Sequence, residues 1–560
     1  MRKSHRLIND TIYQHIEYTK LEDKFLQTKV LNRLLFITQN ALAYFAFPSI
    51  STKRYIHSIG TMHLSSHMLK NSLLNCDDDL VDEFLRSLNR SIDRIIVCND
   101  LDISLQNLDF LDDKSLYEFI IPTQSTVHNN TYILVLQALR LVGLLHDVGH
   151  FPFSHQVEYA LQKIYQSLQT KTVHSEKEQK FIKFYNSITD HGQEVLHEAI
   201  GKQLVDVLFE HELPTLLQTQ YDKDYMILLH ELCKNILGEK DDGIFDYKVL
   251  HRYVDGTVDA DRLDYINRDM LSSGYISGPV DHIRITKQAI LIRYKNNFKL
   301  TFYDEGLLDI EHMLEMRFNL YKKIIYNHKI ALSDAVLENV VMFLSQDYFT
   351  HCDASKDQHS VLDSISMLWS FLDYSNKEKQ LDIISQMDEN WMITLFKKEY
   401  FKIKYQENRS QTDQKYLLSF EEVLFGKNFF KSVWKNLNDL YSVLEFSKVD
   451  RYKFRESFGN VSAKKMKKLQ LELDTFVEYW QKKEKGAFFT YRIVSFKTGI
   501  AKDFSLYDGE KLIAIDEVST LRKRLKKSMQ NTVPFFIYTN QSGLNMQMRK
   551  ELKSILFTVL

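Results

Sequence analysis

Apolar residues recur every three to four positions through residues 31–46, 62–73, 80–94, 132–145, 197–209 and 331–344, which predicts helices that each turn one face inward. The 132–145 stretch is apolar on almost every side, so its helix is expected to be buried. Residues 1–350 thus read as one helical unit. Within it, the charged run Glu239-Lys240-Asp241-Asp242 lies between Gly238 and Gly243 and reads as a loop. Partial alternation from Ile283 through Tyr303, around Asn296-Asn297, predicts a small hairpin. Residues 351–486 are polar, Lys-rich and expected to be helical, without a cluster of catalytic residue types. Residues 487–560 change character, because β-branched and aromatic residues fill 488–497 and 534–538, on either side of a helix expected at 518–529. The expected fold is mainly α, with a helical extension and a small α/β appendage at the carboxy terminus.

Composition agrees with that pattern. Only 17 Gly and 6 Pro in 560 residues favour helices over a turn-rich sandwich or barrel, and the length calls for two or three domains. A formal net charge of -2 gives no global pull toward nucleic acid. Cys76, Cys98, Cys233 and Cys352 form no CxxC pair, which argues against a cysteine zinc site or a disulfide framework and fits a reducing cytosol. The amino-terminal segment is polar, unlike an apolar signal region, and no apolar run is long enough to span a membrane. A cytoplasmic protein without a membrane partner is expected.

The candidate chemistry is concentrated in His146-Asp147-Val148-Gly149-His150-Phe151-Pro152-Phe153-Ser154-His155. Adjacent His and Asp at the end of a buried helix offer a neutral nitrogen and an anionic oxygen to a divalent metal. Gly149 and Pro152 are expected to break the helix, so that His150 and His155 turn back toward the same cavity. So many polar groups in apolar sequence are costly to bury without a function. One His-Asp pair holds a metal poorly, so further ligands must come from elsewhere. His57, in Arg54-Tyr55-Ile56-His57-Ser58-Ile59-Gly60 just ahead of an amphipathic helix, is one candidate. Asp261, in the carboxylate-dense run from Asp259 to Asp269, is the other.

The order His57, His146-Asp147, Asp261 resembles the signature of the HD superfamily of metal-dependent phosphohydrolases. The chain is similar, in particular, to its deoxynucleoside triphosphate triphosphohydrolases. Between residue 7 and about 335, an opening like Ile8-Asn9-Asp10-Thr11-Ile12 and a segment like Gln39-Asn40-Ala41-Leu42 precede the Arg-x-x-His-Ser-x-Gly, His-Asp-x-Gly-His-x-Pro-Phe-Ser-His, His-Glu and Asp-x-Asp-Arg-x-Asp-Tyr-x-x-Arg-Asp elements, in family order. The resemblance implies an HD-superfamily helical catalytic domain at 1–350, followed by the helical region 351–486 and the α/β region 487–560. It implies that His57, His146, Asp147 and Asp261 hold one divalent ion (Mn, Mg, Fe or Ni). His150, His155 and His197 would surround a triphosphate, with His155 moving a proton at the α-phosphate and Glu158 orienting it. Arg54 and Arg262 would bind phosphate. Gln39 and Asp269 would meet the sugar 3′-hydroxyl with Asn40 beside them, and Tyr265 and Tyr326 would wall the 2′ side. The implied reaction converts dNTPs to deoxynucleoside and inorganic triphosphate in a homo-oligomer. The alternatives are an HD-type phosphodiesterase or nuclease acting on nucleic acid or cyclic nucleotides, and a nucleotide-sensing module.

Other polar features have plainer readings. His63 and His67, at i and i+4, read as ordinary helix residues, because the implied site is complete without them. His197 is preferred over His174 and His191 because it opens an apolar-periodic helix. The basic runs at 464–468 and 522–527 read as solvated helix faces, with an allosteric-nucleotide or nucleic-acid site as the alternative. The 317–329 segment reads equally as a solvated face or as a basic helix near the triphosphate.

Overall fold

A computed structural model describes residues 6–108, 114–216, 219–275, 278–350, 363–371, 377–458, 463–494 and 499–559. Cys352 and the end of the strand expected at 488–497 lie outside them. The expected mainly α fold is the one observed: among the described residues, 24 α-helices are joined by four small sheets.

The organising element is the helix Thr126–Leu145, whose side chains are all buried from Asn130 to Leu145. It packs along the Arg54–Leu74 helix and is flanked by Gln220–Leu237. Gly143 lets the two central helices approach, since a Cβ there would sit 3.0 Å from the Met62 backbone. The Ala260–Ser273 helix crosses Arg54–Leu74 on another side, capped by Asp259, which accepts from Arg262 N at 2.6 Å. No described helix is long and apolar enough to cross a membrane.

Several elements differ from the sequence pattern. The helix expected at 31–46 is one turn, Lys29–Asn32, followed by 3-10 turns at Arg33–Phe36 and Ala43–Phe45. Between those turns, Thr38 pairs with Lys53 as an isolated β-bridge and Ala41 takes a φ of 44°, so the apolar spacing there reports burial without a helix. His57 lies inside the helix that opens at Arg54, not ahead of it. The Thr126–Leu145 helix ends before Gly149, and the turn into the next helix instead runs through left-handed Phe153 and Ser154, at φ 59° and 55°. Ile283–Thr286 is helical because Asp281 caps a short helix, His282–Lys287; the hairpin follows as Ala289–Tyr294 paired with Asn297–Phe302. An amino-terminal hairpin, Arg6–Asp10 with Gln14–Tyr18, has no counterpart in the predicted elements.

At the carboxy terminus, Phe489–Ile493 and Phe535–Thr539 pair antiparallel, and Lys431–Ser432 adds a third strand on the other side of Phe535–Thr539. The sheet therefore draws on both 351–486 and 487–560. It sits on the His328–Thr350 helix, where Asn339 donates to Thr490 Oγ1 at 2.9 Å and Tyr538 donates to His328 O at 2.8 Å.

Candidate metal and phosphate site

The folded chain brings His57, His146, Asp147 and Asp261 to one place. His57 Nε2 lies 2.9 Å from Asp261 Oδ1 and 3.6 Å from Asp147 Oδ2. His146 Nε2 lies 3.5 Å from Asp147 Oδ1 and 3.7 Å from Asp261 Oδ1. Ligand atoms of His57, His146 and Asp261 all fall within 4.8 Å of one another. Both rings are locked from behind. His57 Nδ1 donates to Asp264 Oδ2 at 2.8 Å, and His146 Nδ1 donates to Gly143 O at 2.8 Å, so each presents Nε2 to the cluster. His146 Nε2 is buried without a hydrogen-bond partner among the described residues. Burial opposes a charge on His57, yet hydrogen bonds to Asp261 and Asp264 raise it to about 10, so the carboxylates demand a cation at this position. Two imidazole nitrogens and hard carboxylate oxygens around an unpartnered Nε2 fit a divalent ion.

Asp264 is the centre of a support that the sequence reading assigned no role. Besides His57 it accepts from Tyr13 Oη at 2.8 Å and from Arg268 Nε at 2.8 Å, and Arg268 Nη1 reaches Asp10 at 2.8 Å. The amino-terminal hairpin thereby braces the cluster. Gly60 makes room: a Cβ there would overlap Asp264 Oδ1 and lie 2.7 Å from Arg268 Nη2. A glycine in mid-helix was a visible signal of this contact, as were Asp264 and Arg268 among the fixed positions of the motif from Asp259 to Asp269.

Asp147 links the cluster to a second group. Its Oδ1 lies 3.1 Å from His150 Nε2, and the His150 ring stacks on His197 with centroids 4.1 Å apart. His155 packs edge-on to both, at 4.8 and 5.0 Å. Glu158 serves two of the three, since Oε2 accepts from His155 Nδ1 at 3.2 Å and from His197 Nδ1 at 2.9 Å. Burial works against its charge, but those imidazole hydrogen bonds hold its carboxyl far below the usual range. Gly149 allows the turn to seat on the His197 helix, since a Cβ there would overlap His197 O. Arg33 donates to Val148 O, to His150 O at 3.0 Å and to Met387 O at 3.2 Å, tying the same turn to the helical extension.

At the expected sugar end, three buried polar atoms lack hydrogen-bond partners among the described residues: Gln39 Oε1, Asn40 Nδ2 and Asp269 Oδ1. Burial pushes Asp269 up to about 6, with Asn40 beside it pulling the other way. Glu389 props the start of this turn, accepting from Thr38 N at 2.7 Å. Tyr265 accepts from Arg317 Nε at 2.9 Å. Tyr326 follows a π turn, Tyr321–Ile325, and its ring lies 6.1 Å from Tyr321, itself under the Arg317 guanidinium. Arg54 and Arg262 are both engaged. Arg54 is buried and pairs with Asp147 while donating from Nε to Ser154 Oγ at 2.8 Å, and Arg262 donates to Thr257 O. His63 and His67 pack together, their rings 4.4 Å apart, with His63 against the Tyr13 ring at 5.0 Å.

A helical core on which a His, a His-Asp pair and a distant Asp converge is an arrangement of the HD type. The curated relatives agree. The chain is 25% identical over 355 residues to the deoxynucleoside triphosphate triphosphohydrolase SAMHD1 homolog of Dictyostelium discoideum, covering 63% of this chain and 50% of that one. It is 22% identical over 348 residues to human SAMHD1 (62% and 45%), and 21% identical to a putative HD domain-containing protein of Acanthamoeba polyphaga mimivirus (60% and 58%). The chain thus spans about half the length of these relatives. A phosphohydrolase of Bacteroides thetaiotaomicron shares the fold, with a TM-score of 0.50 at 17% identity over 96% of this chain and 98% of that one. No protein-family model matches the chain. The chain is thus similar to HD-domain, dNTPase-like proteins.

Proposed function

We propose that the protein is a metal-dependent dNTP triphosphohydrolase. The observation that carries this is the junction at Asp147, where a donor set suited to a divalent ion adjoins a trio of imidazoles that share Glu158. His57, His146, Asp147 and Asp261 would hold the ion, which when bound polarises an α-phosphate oxygen and lowers the pKa of a water. Water adds to the α-phosphorus, the bond to the 5′-oxygen breaks with its electron pair on oxygen, and that oxygen takes a proton. His155, its Nδ1–H donated to Glu158, leaves Nε2 to take up the proton the water loses and hand it to the 5′-oxygen. His150, His197 and Arg262 steady the charge on the triphosphate that leaves. The unpartnered atoms of Gln39 and Asp269 receive the sugar 3′-hydroxyl with Asn40 beside them, while Tyr265 and Tyr326 close the 2′ side.

The test is to incubate the purified protein with each dNTP and NTP plus Mn or Mg and to separate the products. Deoxynucleoside and inorganic triphosphate are expected. A deoxynucleoside monophosphate with pyrophosphate would reassign the reaction, and cleavage of only cyclic nucleotides or nucleic acid would favour the phosphodiesterase alternative.

A further inference from the structure

The carboxy-terminal region reaches the arginines beside the metal-type cluster through one short segment. Arg262 follows Asp261 in the chain. Its Nη1 donates to the carbonyl oxygens of Thr257 and Gly499, both at 3.0 Å, and its Nε faces Asp259 at 3.4 Å. Arg317 donates from Nε to Tyr265 Oη at 2.9 Å and lies 4.7 Å over the Tyr321 ring. Gly499 closes its remaining side. A Cβ there would overlap Arg317 Nη1 and sit 3.0 Å from its Cζ, so only glycine permits the approach, and the φ of 74° also suits it.

The segment is held from behind. Ala501 N donates to Thr257 Oγ1 at 3.1 Å. Arg522 donates to Ile500 O at 3.3 Å and to Ala501 O at 3.0 Å, and is itself fixed by Asp516 at 2.9 Å. The charges at the front are not balanced. The two guanidiniums are close enough to oppose each other, and Arg317 has no carboxylate within ion-pair distance among the described residues. Asp259 answers the charge of Arg262, whereas the phenol oxygen of Tyr265 orients Arg317 without neutralising it, so the pair keeps a positive charge for an anion.

We propose that residues 499–501 form the wall of the pocket at its phosphate end. They position Arg262 and Arg317 as a pair for the anionic tail of the substrate, which makes the carboxy-terminal region part of the site. The inference rests on the triphosphate reading above and assigns the anion-holding geometry to a segment outside residues 1–350.

Inorganic tripolyphosphate is the probe, titrated by calorimetry into the 560-residue protein. Gly499→Asn adds the Cβ yet tolerates left-handed backbone better than other side chains, which isolates the overlap with Arg317. It is expected to weaken tripolyphosphate at least about tenfold, the scale of one charge-assisted hydrogen bond. Arg522→Gln, which lies behind the wall and adds no volume, should weaken it about threefold or more through loss of two anchoring bonds. Gly509→Asn is the control, because Gly509 has a φ of 97° with nothing among the described residues within 4 Å of its Cβ position, and its affinity should match the parent. In turnover, Gly499→Asn and Arg522→Gln should raise the KM for dNTP and leave kcat within about twofold, as lost binding common to ground and transition states does. Metal content and thermal midpoint should stay unchanged in Arg522→Gln. If the parent binds tripolyphosphate and both variants bind it equally well, or if kcat and thermal midpoint fall while KM holds, the wall assignment is overturned and the hydrolase reading stands. If the parent neither binds tripolyphosphate nor turns over any dNTP, the hydrolase reading falls, and this inference with it.

Discussion

Replacing Gly60 by alanine sets two physical effects against each other. On helix propensity alone, Gly→Ala inside the Arg54–Leu74 helix should stabilise the protein by about 1 kcal/mol. The tertiary structure argues the reverse. The new methyl would occupy the space of Asp264 Oδ1 and crowd Arg268 Nη2, and Asp264 cannot swing aside without leaving His57, Tyr13 and Arg268. All three partners are buried or half-buried, and breaking a buried pair of this kind costs about 3–5 kcal/mol. After the propensity gain, a net loss of about 2–4 kcal/mol is expected. Urea unfolding of Gly60→Ala against the parent measures it. A metal titration by calorimetry should show affinity down about 10- to 100-fold, because Asp264 would no longer fix the His57 tautomer. The Asp264→Ala background supplies the internal check. There, with the oxygen gone, adding Gly60→Ala should return part of the propensity gain, up to about 1 kcal/mol. A Gly60→Ala protein as stable as its parent, with unchanged metal affinity, would refute the reasoning.

Asp147→Ala should abolish hydrolysis and metal uptake while far-ultraviolet circular dichroism stays that of a helical protein; full activity would remove Asp147 from the site. Asn40→Leu should increase the preference for dNTP over NTP, because an amide able to pair with a ribose hydroxyl is lost, and an unpaired buried hydroxyl costs about 1–3 kcal/mol; unchanged kcat/KM ratios would take Asn40 out of the pocket. Stability should depend on pH through His63 and His67. Burial holds both rings neutral, well below 6.5 for His63 and at about 4 for His67, so the unfolded chain takes up protons that the folded chain refuses. The stabilisation from His67 is whole above pH 6.5 and is lost as pH falls toward 4, at most about 3 kcal/mol. His67→Leu should flatten the fall in urea midpoint across that window, and an equally steep fall would assign it to other groups.

What the sequence determined by itself was the helical character of the chain and the identity of the groups around the cluster. Periodicity reports that one face of a segment is buried, and the stretches 62–73, 80–94 and 331–344 lie inside observed helices because burial and hydrogen bonding both favour helix there. The motif spacings named His57, His146, Asp147 and Asp261, which the fold gathers from three distant parts of the chain. Periodicity does not say which partner covers a face. Residues 31–46 carry a helical spacing, yet a bridge from Thr38 to Lys53 and a buried carboxylate at Glu389 pull them into turns. Asp264, Tyr13 and Arg268 drew no functional assignment because their roles exist only once the hairpin at residues 6–18 reaches across to the Ala260–Ser273 helix. The same holds for Gly499, whose nearest significant neighbours, Arg262 and Arg317, lie far away in sequence. A local pattern encodes the cost of exposing a side chain, whereas the partners that position a buried charge come from whichever distant segment the tertiary fold delivers.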